Sequence, residues 1–272
     1  AVPCRFLWGE HHMIEQLQFS LRTTDDRRLL PALAYRIYGW LVEQLPAETA
    51  ALLHEQGEHP LSQFLRYDAA QQRTVWTLNL LDDTLAAQVK PLLANRSALE
   101  LHGMPLQIEP IGSRQVQSGL QLLLAAREAP ARRTKLRFYT PCAFKQTGRY
   151  AIYPQELLLL QSMVLHWNTA FPAHSLDDPD ALDAILRGLH IIDYELRTAS
   201  YSLKNTRIPG FVGTVVVEAK LALPLLELWN ALLFFAPYGG IGIKTTLGMG
   251  GVGVEPLAMP LYPATRYKAP LF

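Results

Sequence analysis

Cysteine is nearly absent, with two residues, Cys4 and Cys142, in a chain of 272. One pair cannot staple a disulfide scaffold. No Cys or His pair stands at a spacing such as Cys-x2-Cys or His-Glu-x2-His either, so no metal site is expected and a reducing, cytoplasmic setting is. Long apolar runs are also missing. The richest stretch, Leu221 to Tyr238, is broken by Pro224, Glu227, Asn230 and Pro237, short of the roughly 18 uninterrupted apolar residues that a membrane span takes. No long apolar core follows the first basic residue, so no signal peptide is expected. Strong net charge is lacking as well. At +1 overall and 49% hydrophobic, the composition excludes an intrinsically disordered chain. What remains is enough material for two domains of roughly 100–150 residues.

Two local absences are more telling. Between Glu128 and Glu156 there is no acidic residue, while Arg132, Arg133, Lys135, Arg137, Lys145 and Arg149 fall inside. A second acid-free stretch, between Glu195 and Glu218, carries Arg197, Lys204 and Arg207. Residues 1–128 hold 11 basic against 14 acidic residues, and residues 129–272 hold 14 against 10. Such local basic surface suits a polyanion, although a solvated face of scattered charges explains the same counts.

Periodicity gives the architecture. Residues 1–12, which lack a starting Met and end in Glu10-His11-His12, are set apart as a tag or an extension. Leu17, Phe19 and Leu21 alternate as in a half-buried strand. Leu33, Ile37, Trp40, Leu41 and Leu45 recur at helical spacing until Pro46, and a short helix from Glu48 to His54 stops at Gly57. A strand around residues 74–80, a helix over 81–93, and strands over 99–111 and 115–124 follow. The second half reads as a strand over 135–143, a turn around Gly148, helices over 154–171 and 177–189, and strands over 191–201 and 211–219 separated by a Pro209-Gly210 turn. A helix over 221–235 and a final strand over 251–257 complete it. Each half approximates strand, helix, strands, helix, strand. The expected class is therefore α+β, with tandem ferredoxin-like (RRM-like, βαββαβ) domains over residues 13–128 and 129–272. No close sequence repeat links the halves.

Between that last helix and strand lies Gly239-Gly240-Ile241-Gly242-Ile243-Lys244-Thr245-Thr246-Leu247-Gly248-Met249-Gly250-Gly251. Glycines let a backbone enter left-handed conformations and let its N–H groups approach a ligand. Such amides beside Lys244 make a concavity suited to phosphate oxygens. A tight structural loop is the alternative. A Walker-type loop is excluded because Ile243 precedes Lys244 where a glycine is required. A dinucleotide-binding loop is excluded because this one follows a helix rather than a strand, so no nucleotide cofactor is expected.

The pattern Gly240-x-Gly242-x5-Gly248-Met249-Gly250 resembles the signature loop of the RAMP-type CRISPR-associated proteins, and is most similar to that of their repeat-processing endoribonuclease, the sixth numbered Cas family. Pro31 to Trp40 followed by Ala50-Ala51-Leu52-Leu53-His54-Glu55 resembles that family's first helix and catalytic-histidine region. Phe138-Tyr139-Thr140-Pro141 with Phe144-Lys145, and Gly210-Phe211-Val212-Gly213, resemble elements of its second half. The likeness runs in order from about Met13 to Leu257.

The resemblance implies two ferredoxin-like domains and metal-independent cleavage of CRISPR precursor RNA within its repeats. A ribose 2′-OH would attack the adjacent phosphorus, leaving a 2′,3′-cyclic phosphate and a 5′-OH. That chemistry takes a base for the 2′ proton, an acid for the leaving oxygen and cations for the crowded phosphate. Histidine suits the proton transfers, since its reference pKa of about 6.5 leaves both forms accessible near neutrality. By resemblance His54 stands at the catalytic histidine and Tyr38 near the helix-borne tyrosine. Relatives carry a Lys just after the histidine. Here Glu58, His59 and Pro60 stand in that region, leaving His59, Arg36 or Lys244 to supply the positive charge. A capping or solvated role for His54 and a core role for Tyr38 are the alternatives. The implied RNA surface comprises Gly240, Gly242, Lys244, Gly248, Gly250, Arg132, Arg133, Lys135, Arg137, Lys145, Arg149, Lys204 and Arg207. Tyr139 and Phe144 are placed either to stack on a base or in the core. The implied partner is CRISPR repeat RNA, as precursor and as processed guide. A CRISPR interference complex and a second copy of the chain stay open as further partners. So does the rival reading, a non-catalytic RNA-binding RAMP subunit.

Overall fold

Alternation from Ile14 to Thr23 builds the first strand, β1, with Phe19 and Leu21 turned to a core and Gln16, Gln18 and Ser20 to the opposite face. A computed structural model describes residues 13–24, 28–55, 59–101, 103–204 and 206–258. Residues 1–12 with Cys4, and Gly57, Glu58 and His102, lie outside them. Helices α1 (Leu33–Glu43) and α2 (Ala47–His54) follow, then strands β2 (Leu61–Asp68) and β3 (Arg73–Leu80) and helix α3 (Asp83–Ala94). Strands β4 (Ala98–Leu101) and β5 (Met104–Val116) complete an antiparallel sheet in the order β2-β3-β1-β5-β4. Apart from the added edge strand β4, this is the ferredoxin-like order. Ile37, Leu41, Leu85 and Val89 of the helices close over Leu61, Leu65, Trp76, Leu78 and Leu80 of the sheet.

The second sheet repeats that order as β11-β6-β10-β9, from β6 (Arg133–Cys142), β9 (Leu189–Ser202), β10 (Arg207–Ala219) and β11 (Val252–Leu257). A hairpin, β7 (Phe144–Gln146) and β8 (Arg149–Ala151), interrupts it before helices α5 (Glu156–Ala170) and α6 (Pro179–Gly188), and α7 (Leu223–Gly239) precedes the glycine-rich loop. The tandem ferredoxin-like class expected from the periodicity is the class observed.

Three local expectations are corrected. Strand β2 is absent from the expected order because Leu61 to Leu65 are buried on both faces, which removes the period of two. Residues 119–124, expected in a strand, belong to helix α4 (Gly119–Glu128), whose start is capped by the Ser118 hydroxyl accepting from the Gln121 N–H at 3.3 Å. Pro209 and Gly210 make no turn. They sit inside β10, opposite Ser200 and Ala199, and Gly210 is required because a Cβ there would lie 2.6 Å from the Cys142 carbonyl oxygen.

The two layers interlock. Helix α4 precedes residue 129, yet its Leu122 and Ala126 pack in the second core, as do Ile14, Leu81 and Val116 of the first sheet region. The helix-free face of the first sheet carries a buried polar chain. The Gln16 amide donates to Asn79 Oδ1 at 2.8 Å, and the Asn79 amide donates to Ser62 Oγ at 2.8 Å and to the Pro237 carbonyl at 3.3 Å. The Ser62 hydroxyl donates to the Tyr238 carbonyl. The last carbonyls of α7, which have no partner within their own helix, are thus satisfied by the first sheet.

Candidate functional site

The glycine-rich loop is a junction between the layers. Gly240, Gly242, Gly248 and Gly250 all have positive φ, and a Cβ on Gly250 would lie 1.9 Å from the Ile241 carbonyl oxygen. These conformations serve internal bonds. The Ile241 N–H donates to Gly250 O, Gly242 to Ser162 Oγ, Ile243 to Ala143 O, Gly250 to Pro141 O and Gly251 to Thr140 Oγ1, all at 2.7–3.0 Å. Gly240 and Gly248 donate to Ala236 O and Thr245 O. The expectation that the amides of Gly240, Gly242, Gly248 and Gly250 cradle phosphate is therefore corrected. Those N–H groups are spent within the protein and the four glycines are largely buried. The exposed part of the loop is its tip, where Lys244 holds a left-handed conformation with φ 57°.

Just past Lys244, a single 3-10 turn, Thr245–Leu247, enters the first layer. Leu247 packs on the first core, and the Gln63 amide donates to Thr246 O at 3.0 Å and Ala34 O at 2.9 Å. The Tyr201 hydroxyl donates its one proton to Leu247 O at 2.6 Å, with Pro31 O also within reach at 3.1 Å, and burial pushes its phenol well above the ordinary range. The loop thereby fixes the start of α1. One turn further along α1, roughly 6 Å by helix geometry, Tyr38 is buried and its hydroxyl donates to Leu53 O at 2.7 Å. His54, the last residue of α2, stands exposed immediately beyond. His59 is half-buried ahead of β2.

A free catalytic hydroxyl on Tyr38 does not match this arrangement. Its proton is committed to a carbonyl, and burial pushes its pKa up to about 12, so it stays a neutral phenol at physiological pH. What Tyr38 does is hold the turn that carries His54. Among the described residues, no group of three or more His, Cys, Asp or Glu side chains is placed to hold a metal ion.

The basic residues divide by exposure. On β6, Arg133, Lys135 and Arg137 share the face away from Leu136 and Phe138. Arg133 is paired with Glu218 at 2.6 Å, and that hydrogen bond and charge hold the Glu218 carboxyl below its usual range. Arg132 donates to Leu221 O at 3.1 Å. Arg137, Lys145, Arg149, Lys204 and Arg207 are at least partly exposed, and the β7–β8 hairpin carries Lys145 and Arg149 outward around Thr147 and Gly148. Arg133, and Arg132 although it is exposed, are bonded within the fold, and the other six, with Lys135 only partly exposed, are the better polyanion contacts. Base stacking by Tyr139 and Phe144 is not what the structure holds. The Tyr139 ring stacks on Phe64 at 5.9 Å with Arg66 above it at 5.6 Å, and Phe144 is in the second core. Arg66 itself was not expected here. It comes from the acidic half, where net charge conceals it.

The described residues thus form a tandem ferredoxin-like protein whose glycine-rich loop locks the halves together and holds α1, which in turn packs on the helix that ends in His54. Comparison with known proteins narrows the class. The family of CRISPR-associated endoribonuclease Cas6 matches over residues 136–252. A curated Cas6 endoribonuclease from Streptococcus thermophilus is 29% identical over 245 residues, covering 89% of this chain and 98% of the relative. One from Mycobacterium tuberculosis is 24% identical over 261 residues, covering 92% and 82%. Among solved structures, a Cas6 product complex superposes with a TM-score of 0.72 at 25% identity over 89% of this chain and 99% of that one. A substrate mimic complex of the same Cas6 gives 0.68 at 25% identity, over 90% of this chain and 100% of that one. The chain is thus similar to Cas6 endoribonucleases over most of its length, and its second half matches their family model.

Proposed function

We propose that this protein is an endoribonuclease that processes CRISPR precursor RNA, cutting within repeats by attack of a ribose 2′-OH on the neighbouring phosphorus. Two curated relatives bear the name Cas6 endoribonuclease, and Cas6 structures of similar fold are product and substrate mimic complexes. The finer mechanism rests on one observation. His54 is exposed at the end of a helix tethered, through Tyr38 and α1, to the same loop that presents Lys244.

In this reading His54 exchanges the proton, as base toward the 2′-OH or as acid toward the leaving 5′ oxygen. Imidazole chemistry, with a reference pKa near neutrality, serves in either direction. The attacking oxygen, the phosphorus and the leaving oxygen belong to the RNA, so the protein's part is positioning, proton transfer and charge stabilisation. No step in this scheme takes its chemistry from a metal ion. Tyr38 fixes the turn beneath the imidazole. Lys244, His59 and Arg36 are the cationic groups proposed to face the phosphate. Arg137, Lys145, Arg149, Lys204 and Arg207 hold the RNA through its phosphates. The test is cleavage of a repeat transcript in excess chelator. Wild type cuts and His54→Ala does not, while the variant's RNA affinity stays within about twofold. Loss of wild-type cleavage in chelator contradicts the mechanism. Undiminished cleavage by His54→Ala removes His54 from it.

A further inference from the structure

The surface at the ends of β1 and β3 has no role in this scheme. On the helix-free face of the first sheet, a groove of about 520 Å³ runs across β1, β5 and β4 and is lined by Ser20, Arg22, Ser97, Gln107 and Glu109 among others. Ser20 is 3% exposed and its hydroxyl has no hydrogen-bond partner among the described residues. Buried hydroxyls are ordinarily satisfied, so an orphan at a groove wall marks a place where a ligand atom completes the bonding. A volume of this size takes one nucleotide.

Arg22 also borders a second, smaller depression with Arg28 and Arg73. The last β1–β3 pair is Leu21–Thr74, so Arg22 and Arg73 stand side by side one step beyond it. Like charges at adjacent cross-strand positions repel unless an anion joins them. Arg73 Nε is buried with no partner among the described residues. Asp68, opposite Arg73 on β2, turns its carboxylate to the Ala70 and Gln71 N–H groups at 3.1 and 3.3 Å. Arg28 lies over the Tyr67 ring at 4.6 Å, which fixes it near the same spot. Guanidinium groups for which no ion pair is found among the described residues, beside a nucleotide-sized groove, are what a phosphodiester with its base would occupy.

We propose that this is a second RNA site, distinct from the His54 region, which holds one unpaired nucleotide of the bound strand. Arg22 and Arg73 take its phosphate. The base enters the groove, where the Ser20 hydroxyl, the Gln107 amide and the Glu109 carboxylate meet its edge. Glu109, the acidic group there, accepts from a base amino group such as that of cytosine. The assignment rests on the RNA-processing reading, and its test separates the two.

The decisive experiment measures binding of a labelled repeat transcript to wild type, Arg22→Gln and Arg22→Gln/Arg73→Gln across a salt series, with single-turnover cleavage at saturating protein. Arg22 is exposed, so Arg22→Gln folds, and matched thermal melts check the double variant. The expected result is about tenfold weaker binding by the double variant and an unchanged saturated cleavage rate. The log–log salt slope becomes shallower by roughly 0.7, because one phosphate is no longer neutralised. Wild-type affinity and slope in both variants, while wild type binds and cuts the transcript, would overturn the site and leave the activity standing. Failure of wild type to bind the transcript overturns the underlying reading and the site with it. Titration with free nucleoside monophosphates separates a strand from a mononucleotide. No saturable binding below millimolar concentration is expected, and tight saturable binding refutes the assignment to an RNA strand.

Discussion

Replacing Tyr38 by Phe removes one oxygen atom from the core and tests how His54 is held. The Tyr38 hydroxyl donates to Leu53 O at 2.7 Å, and Tyr38 is 7% exposed, so water does not readily take its place. Deleting the donor leaves a carbonyl in the last turn of α2 without that bond, at a cost of about 1–3 kcal/mol. The loss falls on an eight-residue helix with no side-chain cap at its start, so it is expressed as fraying of the turn that carries His54. Each ~1.4 kcal/mol is a factor of ten in the population of the competent geometry. The expected single-turnover cleavage rate is therefore about 5- to 150-fold lower, with RNA affinity unchanged. If Tyr38 works only through His54, then Tyr38→Phe adds no further loss in a His54→Ala background. A multiplicative loss in the double variant, or a wild-type rate in Tyr38→Phe alone, refutes the positioning role.

Further outcomes follow from the same geometry. Gly250→Ala places a Cβ 1.9 Å from Ile241 O at a φ of 64°, and it lowers the melting temperature of the RNA-free protein by several degrees or prevents folding; a normal melt with weakened RNA binding would restore the phosphate-cradle reading. Neutralising Lys145 and Arg149 together weakens binding and flattens its salt dependence by about 0.7–0.9 per phosphate contact, whereas Arg133→Gln acts mainly on stability by removing the Glu218 pair; an unchanged slope for the first variant removes the hairpin from the interface. Tyr38 has its phenol pKa raised, so its contribution to stability is complete below pH about 10 and is lost as pH rises to about 12. Denaturant midpoints across that window therefore fall less steeply in Tyr38→Phe than in wild type, and parallel curves contradict the burial of the phenol.

The architecture was legible where one face of an element is buried, as in β1 and α1, because solvent on the other face writes the period. It was illegible in β2, where burial of both faces erases the alternation, and in α4, whose leucine-rich start (Leu120, Leu122, Leu123, Leu124) reads equally as strand. Pro209-Gly210 carries the letters of a turn, yet Gly210 answers to a distant constraint, the approach of the Cys142 carbonyl. The site was legible in part for the same reason. His54 and Tyr38 are 16 residues apart, and the contact of Tyr38 with Leu53 depends on how α1 packs on α2. The glycines marked an important loop correctly in position and wrongly in role, because the destination of backbone N–H groups is fixed by tertiary structure. Arg22 and Arg73 are brought together by strand register, which neither local charge counts nor motifs encode.

The proposed chemistry is tested most directly by the nucleophile. A repeat RNA with a single 2′-deoxy substitution at the cleavage position should bind with wild-type affinity and remain uncut. The unmodified RNA should yield a 5′ fragment ending in a 2′,3′-cyclic phosphate, seen by mass spectrometry. Cleavage of the deoxy substrate at the normal rate would contradict attack by the ribose hydroxyl.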